Sequence, residues 1–452
     1  MRTWITQNFI LPLSDNLRKR KMHQTFKKFL NSQHWDRDRL DQEQIDRFRE
    51  LLKHCSAHVP YYRTMLDKAG IDPQSAKPED LSQLPILTRA LVRTNYSSGA
   101  ITASNKEEFQ FVVQKTGGSS TGEPLATIED THTSDAGRAA FYRGLSWANW
   151  WIGEKTIKLW GQKSDRSFSA NLAHAMMNWE PVDAFSMSDE LFQRTTEKLK
   201  TGKVKHMYSY VSALVEYCHY LNQNNITVPP LESVMTTAEV LTQSSRDLIE
   251  STLNTRVFNG YACGEINGIA YECEEQNGLH IAEERCIVEI LDDNNQPVPE
   301  GTVGKVVVTD LYNKVMPLIR YENGDQASMK HEPCACGRVH ARLMEIGGRT
   351  CDIIDGVNGK SLHSYFFTTL FSSLDWEEKL GLKKYQIIQE SERQLDVHIE
   401  SDKMPSAEDR KELVEKLTAY LGDMKYNLIA NEGTIELTRS GKLRWTINKT
   451  RL

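Results

Sequence analysis

From Asp41 to Val59, apolar Ile45, Phe48, Leu51, Leu52 and Cys55 recur at helical spacing among charged residues, which predicts an amphipathic helix ended by Pro60. The stretch to about Asn95 reads as further short helices punctuated by Pro73, Pro78 and Pro85, so residues 1–100 are expected to form a helical N-terminal segment. Beyond it the pattern changes. Strand-like apolar runs (Phe111 to Val113, Thr156 to Trp160, Val234 to Thr237, Arg256 to Phe258) alternate with helical stretches such as Ser212 to Leu221, the mark of an α/β core. Cys286 to Leu291 and Lys305 to Leu311 read as two strands around a polar loop, a β-rich subdomain closing that core.

After Gly347 and Gly348 the pattern changes again. Strands are expected at Tyr385 to Gln389 and Leu395 to Glu400, followed by a helix from Ala407 to Leu421. Ser406 is placed to cap its start with Asp409 three residues on, and Gly422 stands where a C-terminal glycine is wanted. With Thr434 to Leu437 and a last basic strand this makes a small α+β domain. The expected organisation is a large domain over 1–348, its α/β core and β-rich subdomain spanning 101–348, and a small C-terminal domain over 349–452.

A chain of 452 residues is long enough for two domains and an enzyme. Its net charge of −6 gives no polyanion-binding balance, which argues against nucleic acid as a partner. The apolar stretch from Trp4 to Leu13 is interrupted by Thr6, Gln7 and Asn8 and is too short to span a membrane; the basic run Arg18 to Lys21 follows it. It reads as neither signal peptide nor anchor, and the expectation is a cytoplasmic protein without membrane insertion. The 8 cysteines then read as reduced thiols, better suited to metal binding than to a disulfide framework.

The segment Thr116-Gly117-Gly118-Ser119-Ser120-Thr121-Gly122-Glu123-Pro124 follows an apolar strand. Such a loop can turn N–H and O–H groups toward phosphate oxygens, although it lacks the Gly-Lys-Ser/Thr ending of a Walker loop. By composition alone it suits a solvated linker equally well. The order of residues resembles the phenylacetate–CoA ligase family of the adenylate-forming superfamily. His58-Val59-Pro60-Tyr61-Tyr62-Arg63 and Leu84-Pro85-Ile86-Leu87-Thr88 are similar to segments of that family, and the further motifs follow in its order.

The resemblance implies that Ser119, Ser120, Thr121 and Gly122 hold the β- and γ-phosphates of ATP. Glu123 stands where many relatives carry lysine, with Lys115 a substitute cation. Tyr261-Ala262-Cys263-Gly264-Glu265 resembles the motif whose tyrosine packs on adenine and whose glutamate holds Mg²⁺, a cation that prefers hard oxygen ligands. Ala262 and Gly264 depart from its usual glycine and hydroxyl. Thr237-Ala238-Glu239 is similar to the segment lining the adenine pocket, which assigns Ala238 and Glu239 to nucleotide binding. In Arg320-Tyr321-Glu322-Asn323-Gly324-Asp325, Asp325 stands in register with the aspartate that accepts bonds from both ribose hydroxyls. Gly347-Gly348-Arg349-Thr350-Cys351-Asp352 resembles the hinge between domains, with Arg349 on ribose or phosphate and Cys351 at the pivot position. Lys442, in Ser440-Gly441-Lys442-Leu443-Arg444, corresponds to the lysine that stabilises the adenylation transition state, and Lys449 is its competitor in register.

The family also shows a Cys, Gly-Leu-His and Cys-x-Cys-Gly pattern, matched here by Cys273, His280, Cys334 and Cys336, a set of three thiolates and one imidazole that would suit a structural Zn²⁺. Cys286, His331 and His340 are neighbours that could exchange roles with them. The implied function is ATP- and Mg²⁺-dependent activation of a small carboxylic acid as acyl-AMP, then transfer to an acceptor. Coenzyme A is placed first; an amine or amino acid acceptor, or a nucleotide-binding scaffold without catalysis, are the alternatives. Phe141, Tyr142, Trp147, Trp150 and Trp151 could line an acyl pocket or form core. A homodimer is left open.

Overall fold

A computed structural model describes residues 2–116, 125–160, 168–183, 188–241, 243–344, 346, 353–431, 435 and 446–451. The chain divides into two compact units, one made of residues 1–114 with 126–348, the other of 115–125 with 349–452.

The N-terminal segment is mostly helical, with loops at 71–77 and 84–88. Asp36 caps the helix Arg37–His58 by accepting the Arg39 N–H at 2.9 Å, and the helix buries Leu40, Phe48, Leu51, Leu52 and Cys55, so the apolar stripe begins a turn earlier than periodicity indicated. Pro60 both ends it and opens the next helix, Pro60–Ala69, because its fixed φ and missing N–H suit a first helical position.

The core of the larger unit is a nine-stranded sheet. Five parallel strands lie in the order Trp179–Asp183, Thr156–Trp160, His206–Tyr210, Ser233–Thr237, Val257–Tyr261. The sheet continues antiparallel through Ala270–Glu272, Leu279–Ile281, Arg342–Leu343 and Met329–Lys330. Helices Asp189–Lys200, Val211–Gln223 and Gln243–Leu253 connect the parallel strands as crossovers do. One face packs Leu159, Leu214, Tyr217 and Val234; the other packs Trp150, Met235, Phe258 and Tyr271 against the helices Met22–Ser32 and Thr131–Trp147. Tyr142, Trp147 and Trp150 are buried in this second layer, and Phe141 packs on Trp179, Tyr208 and Tyr271. Most of the aromatic cluster is therefore core.

A second sheet, Cys286–Leu291, Gly304–Asp310 and Tyr321–Ala327, is antiparallel and corresponds to the expected β-rich subdomain. Arg285 pins it to the core: its guanidinium binds both Asp310 oxygens, at 2.6 and 3.2 Å, with neither side chain exposed, and donates to the Asn267 carbonyl. A buried pair of that geometry satisfies its own desolvation through several bonds.

In the smaller unit, Leu382–Ser391 and Gln394–Ser401 form a hairpin flanked by Lys425–Ala430 and Thr446–Asn448. Ser406 and Asp409 form the capping box of the helix Ala407–Leu421, and Gly422 follows at φ +85°. The strand Lys425–Ala430 was not foreseen, and the expected strand Thr434 to Leu437 lies outside the described residues except for Ile435.

Candidate active site

In an open parallel sheet, ligands meet the carboxyl ends of the strands, where loops replace the ladder and backbone groups are free to bind. Two of the sequence motifs stand there. Ser233–Thr237 leads into Ala238, and Val257–Tyr261 leads into Ala262 to Glu265. Ala238 has φ +68°, in the left-handed region that a Cβ disfavours. Strain of that kind persists where surrounding structure holds it, and it clusters at ligand sites. Glu239, next in line, is half-buried.

The other side of the site comes from the β-rich subdomain. Tyr261 Oη donates to Asp325 Oδ2 at 2.8 Å and receives a bond from Asn323 Nδ2 at 2.6 Å, while the Asp325 N–H donates to Asn323 Oδ1 at 3.1 Å. The structure thus joins the adenine-motif tyrosine to the ribose-motif aspartate both directly and through Asn323. Burial and the Asp325 charge push the Tyr261 phenol well above its ordinary pKa, so it stays a donor. A carboxylate can accept several hydrogen bonds at once, and the Tyr261 bond is one of those at Asp325.

Glu265 is held differently from the expectation of a simple metal ligand. Its side chain is 3% exposed and its Oε1 accepts from Arg89 Nη1 at 2.7 Å. Arg89 opens the helix Arg89–Ser97, capped by Thr88. The backbone just before it is fastened to the aspartate strand: Leu87 N–H donates to the Arg320 carbonyl at 2.8 Å and Glu322 N–H to the Leu87 carbonyl at 3.1 Å. Those two bonds explain why Arg89 arrives beside Glu265. Burial, and after it the Glu265 charge, also raises the Tyr321 and Cys263 groups well above their ordinary values, keeping both neutral.

Sequence reasoning missed Arg89, although it directly follows the quoted Leu84 to Thr88 segment. Arg320, the first residue of the ribose motif, proves structural. Its φ is +53°, it binds both Glu289 oxygens at 3.1 Å, and it donates to the Leu84 carbonyl at 2.7 Å. Gly268 is needed for packing: at φ +72°, a Cβ there would stand 2.7 Å from the Gly137 carbonyl, so the loop after Glu265 rests backbone to backbone on the helix Thr131–Trp147.

Ser119, Ser120, Thr121, Gly122, Arg349, Cys351 and Lys442 lie outside the described residues. Lys449, the competitor of Lys442, is described: its ammonium pairs with Glu390 at 2.8 and 3.1 Å.

Away from this site, Cys273, His280, Cys334 and Cys336 bring four ligand atoms within 4.8 Å of one another. Cys273 Sγ lies 3.8 Å from Cys334 Sγ, and Cys336 Sγ lies 3.3 Å from His280 Nε2. His280 Nδ1 lies 3.2 Å from the His340 carbonyl, to which it donates, so Nε2 faces the thiols as an acceptor. Burial lowers the His280 pKa to about 3, which keeps the ring neutral as a ligand must be. Cys286 and His340 are engaged elsewhere, Cys286 with the Ala282 carbonyl and His340 with Glu284. Cys55, Cys218, Cys263, Cys273, Cys286, Cys334 and Cys336 are all free thiols.

Comparison with known proteins places these observations. Phenylacetate-coenzyme A ligase of Thermus thermophilus is 30% identical over 333 residues, covering 71% of this chain and 73% of that protein. Protein CapK of Staphylococcus aureus is 23% identical over 324 residues, 69% of this chain and 68% of CapK. Residues 356–449 match the family model of the CapK C-terminal domain. A solved structure of 2-hydroxyisobutyryl-CoA ligase, in complex with 2-HIB-AMP and CoA, aligns over 92% of this chain and 91% of its own with TM-score 0.61 at 19% identity, a likeness of fold alone.

Proposed function

The chain belongs to the phenylacetate–coenzyme A ligase family, and from that premise we propose that it converts a small carboxylic acid and ATP into an acyl-adenylate, then passes the acyl group to coenzyme A. The observation that carries the reading is the convergence of Tyr261, Asn323 and Asp325 with Glu265 at the carboxyl ends of the parallel strands. A carboxylate is a poor acyl donor because it would have to expel oxide. In the first step a carboxylate oxygen attacks the α-phosphorus and pyrophosphate leaves; in the second a thiolate attacks the acyl carbon and AMP leaves.

In this scheme Tyr261 packs on adenine with Ala238 and Glu239 beside it, Asp325 accepts the ribose hydroxyls, and Ser119 to Gly122 hold the distal phosphates, with Arg349 on ribose or phosphate. Glu265 would hold Mg²⁺, which neutralises phosphate charge when bound; the fit rests on a buried hard carboxylate that already binds a cation, Arg89. Lys442 faces the α-phosphate during adenylation, and Cys351 marks the pivot about which the small domain turns. The protein acts in the cytoplasm; among the described residues no helix is long and apolar enough to cross a membrane.

The test is to supply ATP, Mg²⁺ and a panel of aryl and small aliphatic acids with hydroxylamine, then with CoA or amines. AMP release with hydroxylamine and one acid establishes adenylation, and the acceptor that accelerates it names the product class. Nucleotide binding without AMP release for any acid would favour a scaffold. Asp325→Ala should raise the ATP KM by roughly 30- to 150-fold, the equivalent of about 2–3 kcal/mol for charge-assisted bonds. A KM within about twofold of wild type would remove the ribose assignment.

We further propose a structural Zn²⁺ on Cys273, His280, Cys334 and Cys336, closed to solvent water and contributing to folding. The imidazole tautomer set by the His340 carbonyl supports it. Untagged protein should carry close to one zinc per chain, and Cys334→Ser should lose most of it along with several degrees of Tm. Metal near zero without chelators would leave these residues as packed thiols.

A further inference from the structure

The first 17 or so residues turn most of their large apolar side chains outward. Arg2–Ile5 and Leu11–Arg18 are α-helical and are joined by a π-helical stretch, Thr6–Ile10. Its inner side carries Thr6, fully buried against Gly153, where a Cβ would lie 2.7 Å from the Thr6 hydroxyl oxygen, and Leu11, buried in the core. Its outer side is apolar. Trp4, Phe9, Leu13 and Leu17 are 61%, 58%, 60% and 76% exposed, and Ile5 adds to them. The wider π spacing carries the stripe across the junction, since Trp4 and Phe9, five residues apart, meet edge to face at 5.3 Å. Leu13 and Leu17 then follow at steps of four, so the apolar residues share one line about 20 Å long.

Scattered exposed apolar residues need no explanation, but a continuous stripe of this kind on an otherwise ordinary surface is a place where something docks. The charge beside it says what. Arg18, Lys19 and Lys21 are all exposed at the C-terminal end of the stripe, in a chain whose net charge is −6. The neighbouring charges on this element are already used to hold it down: Arg20 pairs with Asp135 at 2.8 Å, the Lys21 N–H donates to the other Asp135 oxygen, and Asp15 accepts the His23 N–H at 2.7 Å. Within residues 2–21 the one carboxylate is Asp15, already bonded to the His23 N–H, so the same stripe on a second copy would offer these cations no other acid. Tryptophan, phenylalanine and leucine on one face with lysine and arginine at the margin is the composition of a helix lying in a lipid–water interface.

We propose that this N-terminal stripe docks the protein reversibly on an anionic bilayer surface, the apolar side chains entering the acyl boundary and Arg18, Lys19 and Lys21 meeting acidic headgroups. The cytoplasmic leaflet carries such lipids. The proposal is independent of the nucleotide site, and docking needs no spanning helix.

The test uses the full chain and vesicles of equal parts phosphatidylglycerol and phosphatidylcholine, with pure phosphatidylcholine as control, read by flotation. Binding to the anionic vesicles that weakens with salt is expected. Replacing Arg18, Lys19 and Lys21 together by Gln should lower the partition by roughly 10²-fold, each cation contributing about fivefold. Trp4→Ser with Phe9→Ser and Leu13→Ser should abolish it, while AMP release in hydroxylamine stays at wild-type rate. Equal binding to both vesicle types, no binding to either, or a wild-type dimer that this triple variant converts to monomer would overturn the proposal.

Discussion

Lys442→Ala is expected to slow acyl-adenylate formation by ~10²–10³-fold while leaving transfer from presynthesised acyl-AMP near the wild-type rate. During adenylation the attacking carboxylate and the α-phosphate oxygens carry negative charge into one crowded centre. In the proposed scheme the Lys442 ammonium is the electrostatic donor to that centre, and an active site that excludes water makes the loss of one such donor costly. Acyl transfer develops its charge elsewhere and with AMP as leaving group, so it does not need the same cation. Pyrophosphate exchange and single-turnover transfer, measured on the same preparation, separate the two steps. Equal losses in both would show a general structural defect; no loss in either would place the catalytic lysine at another position. Lys449 is a poor substitute in the described arrangement, because its ammonium is already engaged by both oxygens of Glu390.

Strands and helices were legible where pattern and local chemistry agreed. The helix Ala407–Leu421 has its capping box and terminal glycine written in three residues, Ser406, Asp409 and Gly422, and the structure reproduces them. The helix Arg37–His58 begins before the apolar stripe does, because its start is set by Asp36 as a cap and not by burial. The strand Lys425–Ala430 was missed for a physical reason: its side chains are mostly half-exposed at a sheet edge, so no apolar alternation marks it. Within the site, the motifs named Tyr261, Glu265 and Asp325, each a residue whose chemistry is local to its own segment. What they could not give were the bonds between segments. The role of Asn323, between Tyr261 and Asp325, depends on a contact across 62 residues, and Arg320 binds carbonyls in the N-terminal segment instead of a ligand. Arg89 reaches Glu265 across 176 residues because Leu87 bridges to Tyr321. Such pairings come from the packing of elements and leave no periodicity to read.

The Arg89–Glu265 pair leads to the second large expected effect. Arg89→Ala would leave a carboxylate that is 3% exposed without its cation, and breaking a buried pair from one side costs about 3–5 kcal/mol because the remaining charge stays desolvated. Arg89 itself is 13% exposed, so water can partly replace it and the lower end of that range is expected. Urea midpoints would register this as a marked loss at unchanged slope. Combining Arg89→Ala with Glu265→Gln should recover part of the loss, since the stranded charge is gone; strict additivity in that cycle would mean the two groups act independently. The pair also bears on the proposed metal site. If Mg²⁺ arriving with nucleotide takes over the charge balance at Glu265, saturating Mg²⁺ and ATP should stabilise Arg89→Ala more than wild type, because the ligand then supplies what the guanidinium did. Equal stabilisation of both proteins would show that Glu265 keeps Arg89 in the loaded enzyme and that the metal is held by other groups.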